Sequence, residues 1–182
     1  MTAIPSIACL GVIGKNNNPL HITLFPSAPL NAPLRTPLQF SLLLASTLDI
    51  FESRSKSNAS SGGGLSGDFG LLHAIDERLA AYGFETNTGV RFVAVVDMRG
   101  RIVGEGGGTG KGGPSVGLRE GEMKLVFRAM QAAYVRLLQN PFYEPDEHSP
   151  PTGRGGKKIT SRRFAEDMKR IGESWVPGVG SS

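Results

Sequence analysis

At 182 residues, with 39% hydrophobic and 20% charged side chains, the chain has the composition of one globular domain that can bury a core without disulfides or metals. A single cysteine, Cys9, excludes an internal disulfide framework and fits a reducing compartment. The net charge of +4 owes part of its size to Arg154, Lys157, Lys158, Arg162 and Arg163. Few aromatics interleave with that run, so it reads as a solvated loop and helix start rather than a nucleic-acid or lipid surface.

Met1 to Ser6 carries no positive leader region, and no stretch reaches 18 uninterrupted apolar residues. Both point to a cytosolic chain. The apolar run Ile7 to Ile13 lacks polar alternation, which predicts a strand covered on both faces. Cys9 lies inside it and behaves there as a small hydrophobe. Lys15 to Pro19 is an Asn-rich turn, and Leu20 to Phe25 is the second strand of a hairpin. Pro26, Pro29 and Pro33 then mark a connecting loop.

From Pro37 to Glu52 the pattern turns helical, with Pro37 suited to the first turn. Leu38, Leu42, Ala45 and Leu48 repeat at helix spacing, and Leu44 and Phe51 widen the stripe. That face is broader than a one-sided surface helix needs, so this helix is a candidate to meet a partner as well as the core. Residues 53–67, rich in Ser and Gly, read as a flexible insertion. Three strands are expected over 69–76, 78–84 and 90–97, with Asn87-Thr88-Gly89 turning into the last. A second Gly-rich insertion is expected over 99–117.

The next helix, 119–139, carries Met123, Phe127, Met130, Tyr134 and Leu137 on one side and stops at Pro141. Ser161 is a candidate N-cap for a last helix with Phe164, Met168, Ile171 and Trp175 on one face. The resulting order is β-β-α-β-β-β-α-α. Short connections make the sheet antiparallel, and helices are available for both of its faces. A single domain is thus expected over 1–176, with a disordered tail at 177–182.

No motif in this chain carries catalysis. The Gly104 to Gly113 stretch with Lys111 lacks the hydroxyl residue after the lysine that a phosphate loop requires. His73, Asp76 and Glu77 are close in sequence, but they read as a polar strand end more readily than as a metal site. Neither His21 nor His148 has a nucleophile to serve. Asn140-Pro-Phe-Tyr143 resembles a short adaptor-binding signal, yet its place after an amphipathic helix favours a turn whose Phe142 and Tyr143 fold back on the core. Catalytic, cofactor-binding and metal-ligating residues are therefore all expected to be absent, as is a cofactor.

Five blocks together carry a resemblance that none carries alone. They are Ile7 to Ile22, Thr47-Leu-Asp-Ile50, Tyr82 to Asp97, Asn140 to Tyr143 and Ser161 to Phe164. In this order they resemble the sedlin family, small longin-fold subunits of the TRAPP vesicle-tethering complex, and within it the subunit-two-like branch. The resemblance implies a longin-like α/β fold of the α+β type, a five-stranded antiparallel sheet with one helix on one face and two on the other. It implies a non-enzymatic adaptor in endoplasmic reticulum–Golgi and intra-Golgi traffic, peripheral at those membranes. Its implied partners are other TRAPP subunits, small and large, with a Rab GTPase reached only through them. Asp49 matches the family's Leu-Asp pair, which makes Leu44, Leu48, Asp49 and Phe51 the candidate protein interface. The alternative is a stand-alone longin domain that binds a small GTPase or a SNARE.

Overall fold

The longest apolar runs form the centre of the sheet. In the computed structural model, which describes residues 2–60, 67–104, 118 and 121–178, β1 (Thr2–Ile13) lies antiparallel to β5 (Arg91–Val103). β2 (Pro19–Leu24), β3 (Asp68–Ala74) and β4 (Leu79–Glu85) complete five strands in the order β2-β1-β5-β4-β3. Every neighbouring pair is antiparallel. The helices are α1 (Pro37–Ser60), α2 (Glu122–Leu138), the single turn α3 (Pro145–His148) and α4 (Arg162–Ser174).

Successive side chains of a strand point to opposite faces, and in β5 both sets are buried. Val93 and Val95 belong to a core that α1 covers with Phe40, Leu43, Leu44 and Phe51. Phe92, Ala94 and Val96 belong to a second core, closed by Met123, Phe127 and Met130 of α2 and by Phe164 and Met168 of α4. This is the longin-like arrangement, one helix against two. The element order is also the expected one, with α3 added in the loop after α2.

β1 begins at Thr2, five residues before the expected Ile7, and α2 at Glu122; two other boundaries differ by more. α1 runs on through Ser53 to Ser60 instead of ending at Glu52. Serine is a mild helix disfavourer, not a breaker, and the first glycine after Pro37 is Gly62. Arg54, inside that extension, donates to the carbonyls of Phe69 (2.8 Å) and Leu72 (3.3 Å) and so ties the helix to the edge strand β3. β5 likewise continues through Arg99 to Val103, where Ile102 and Val103 pair with Ala3 and Thr2 of β1. Local glycine content concealed a pairing that only the partner strand makes visible. The remaining parts of the two insertions, residues 61–66 and 105–117, lie outside the described residues, as does the Gly-rich loop with Lys111.

The start of α1 is fixed by reciprocal capping. Thr36 Oγ1 accepts from the Gln39 amide at 3.3 Å, while Gln39 Oε1 accepts from the Thr36 amide at 2.9 Å. The loop before it is held by Arg78, whose guanidinium donates to both oxygens of the fully buried Asp97 (2.8 Å each) and to the Ala28 carbonyl (2.7 Å). Burying a carboxylate is tolerable only with such donors, and here the pairing pins the proline-rich loop to the sheet.

Candidate functional site

α1 presents two different apolar surfaces. Its inner one is the core stripe of Phe40, Leu43, Leu44, Thr47 and Phe51. Two glycines of the sheet admit it. A Cβ at Gly11 would meet the Leu44 Cδ1 at 2.5 Å, and one at Gly83 would meet the Phe51 ring at the same distance. The helix therefore sits close, and its other side faces outward. There Leu38 is 70% exposed and Leu42 63% exposed, and Ala45 and Asp49 are exposed beside them. Spacings of four, three and four residues put 38, 42, 45 and 49 on one face of a helix. Leucines exposed to this degree, side by side on a helix, form the kind of patch that marks a contact surface.

The four residues expected at the interface therefore separate. Leu44 and Phe51 are core residues, both under 5% exposed, and are not available to a partner of the folded chain. Leu48 is half-buried against the same core, and Asp49 alone is fully on the outer face. Conversely, Leu38 and Leu42, the first members of the predicted core stripe, are the ones that point away from the core. The reason is a wrong phase. With leucine at 38, 42, 43, 44 and 48, α1 offers apolar residues in nearly every direction, and periodicity alone does not say which arc meets the sheet. Asp49 is also not near a helix end. Because α1 reaches Ser60, it lies about three turns before the terminus, where the helix dipole has faded.

A model of the sedlin family matches residues 12–174 of the chain. The chain belongs to the sedlin family. It is also similar to the trafficking protein particle complex subunit 2-like protein of Dictyostelium discoideum, 26% identical over 167 residues that cover 91% of this chain and 95% of that protein. The proteins of the same name from Mus musculus and Xenopus tropicalis are each 28% identical, over 160 and 161 residues, covering 86% of this chain and 89% of theirs.

In this sedlin-family chain the other singled-out residues take structural positions. Cys9 is fully buried in the α1-side core, and burial pushes its thiol well above its ordinary range. Asp76 accepts from the amides of Arg78 and Leu79 at the β3–β4 turn and from Arg35 at 2.6 Å. Burial works to raise its carboxyl, but those donors outweigh it and hold it low. Among the described residues, no three of His, Cys, Asp and Glu converge as a metal site would require, and no helix is long and apolar enough to cross a membrane.

The Asn140 to Tyr143 segment is a turn, with the Asn140 side chain accepting from the Phe142 amide at 3.1 Å. Tyr143 packs back and stacks on His148 at 4.6 Å between ring centroids. Phe142 does not fold back; it is 92% exposed, because the turn points it outward.

Proposed function

We propose that this chain is a non-enzymatic assembly subunit of a trafficking protein particle complex, and that it docks a larger subunit on the outer face of α1. The relatives' names supply the complex, and the Leu38–Leu42–Ala45 stripe ending in Asp49 supports the face. In this reading the apolar stripe gives the contact its energy, since burying each leucine from water is worth roughly 1.5–3 kcal/mol. Asp49 at its end gives orientation, by meeting a donor or a cation on the partner. The same reading places the chain in endoplasmic reticulum–Golgi and intra-Golgi vesicle traffic, peripheral at those membranes, with any Rab GTPase reached through other subunits.

The test is a tagged pull-down from cytosol, read by mass spectrometry, with wild type, Asp49→Tyr and Leu38→Asp/Leu42→Asp. The expected result is recovery of trafficking protein particle subunits with wild type and selective loss of one large subunit with both variants. Recovery unchanged in both variants would remove the α1 face from the account. Absence of every such subunit from the wild-type sample would remove the assembly role itself.

A further inference from the structure

On the side of the sheet opposite α1, four arginines gather around one groove. Arg136 of α2 and Arg162, Arg163 and Arg170 of α4 line an open cavity of about 510 Å³ together with Glu166 and Asp167. The spacing 162, 163, 166, 167, 170 is one face of a helix, so the sequence itself assembles the cluster once α4 forms. Asp167 is buried between α2 and α4, 3.4 Å from the Arg136 guanidinium and 3.9 Å from that of Arg170. It therefore lies within ion-pair reach of two arginines without covering them, because Arg136 remains 50% and Arg170 76% exposed at the side chain. Arg162 lies 3.4 Å from Glu166 and is 93% exposed. Among the described residues Arg163 meets no carboxylate. Four guanidiniums against two carboxylates leave the groove with a surplus of two positive charges.

We propose that this groove holds a glutamate- and aspartate-rich segment of a partner protein. Guanidinium is the cation suited to this, because its planar fork grips a carboxylate with two parallel hydrogen bonds. The positive end of the α4 dipole, at Ser161, adds to the same attraction. A carboxylate side chain can enter the open cavity between the arginines, whereas the flat surface of an anionic bilayer cannot. The groove therefore selects a side chain over a charged sheet. It lies across the sheet from the α1 face, so one chain has surfaces for two partners at once. This inference stands on the groove alone, independent of what docks on α1.

The probe is a fluorescently labelled short peptide of Glu, Asp and Gly, titrated with the whole chain and read by anisotropy at low and at physiological salt. Binding that weakens with salt is expected, and Arg163→Glu/Arg170→Glu should reduce affinity roughly tenfold or more, as two lost pairs and two new repulsions require. Lys15→Glu/Arg128→Glu, which changes net charge equally on exposed residues elsewhere, should alter it by no more than about twofold. Arg163→Gln, which breaks no ion pair among the described residues, should give a smaller loss at unchanged melting temperature. Equal losses in the two double variants would overturn the proposal and leave only bulk charge. So would no peptide binding at low salt, or binding of phosphatidylserine vesicles in place of the peptide.

Discussion

α1 and α4 are both helices laid on the same sheet, and their inner sides are alike, with Phe40 and Phe51 buried on α1 and Phe164 on α4. Their outer sides are not. α4 turns Arg162, Arg163, Glu166, Lys169, Arg170 and Glu173 to solvent, the ordinary solution for a surface helix. α1 turns out Leu38, Leu42 and Ala45, and only then Asp49. Folding accounts for the inner sides of both helices. It does not account for the outer leucines of α1, which cost solubility and give the isolated chain nothing. The two helices are therefore finished for different surroundings. The outer surface of α4 meets water and charge, and that of α1 is apolar enough to be covered by protein.

Phe51 and Leu42, two apolar residues of one helix, should differ most in what their removal costs. Phe51→Ala removes a fully buried ring seated over Gly83 and should cost about 3–5 kcal/mol in urea unfolding. Leu42→Ala should stay within about 0.5 kcal/mol of wild type, because its side chain touches mostly solvent. Comparable losses at the two positions would mean that the outer stripe is part of the core.

A smaller effect sharpens the contrast between the sheet faces. His21 lies edge-on to Phe164 of α4, with ring centroids 5.2 Å apart, and its Nε2 is 2.7 Å from Thr23 Oγ1. Burial holds its imidazole below the ordinary value. The unfolded chain then binds this proton more readily than the folded one. Stability should therefore fall as pH drops below about 6.5 toward the lower folded value, and be unaffected by this group above it. Hydrogen exchange should show α4 amides losing protection on acidification sooner than those of the Phe40–Phe51 stretch of α1, and His21→Gln should abolish the difference. Equal loss in both helices, or a difference that survives the variant, would contradict the assignment to His21.

The architecture was legible because its signals are local. Continuous apolar runs gave the central strands, and the α2 stripe from Met123 to Leu137 gave a helix with one inward side. Ser161, whose Oγ accepts from the Phe164 amide at 3.3 Å, gave the start of α4. What sequence left hidden depends on partners far along the chain. Ile102 and Val103 look like the rim of a glycine loop until β1 is brought beside them. The serines after Glu52 look like a linker until Arg54 finds the carbonyls of β3. Thr36-x-x-Gln39 was a readable cap that Pro37 overshadowed. The four candidate interface residues on α1 were read without its phase: Asp49 is outside, while Leu44 and Phe51 are within. An all-round apolar helix carries no phase in its sequence. The glycines of β1 and β4, which let Leu44 and Phe51 approach, decide it.

The most direct test of the docking face is site-specific photo-crosslinking inside the assembled complex. A benzophenone side chain would be placed at Leu42 on the outer side of α1 or at Arg128 on the outer side of α2, both exposed. The expected result is a covalent adduct to a large trafficking protein particle subunit from position 42 and none to that subunit from position 128. An adduct from position 128 with position 42 silent would contradict it, and would move the docking surface to the other side of the sheet.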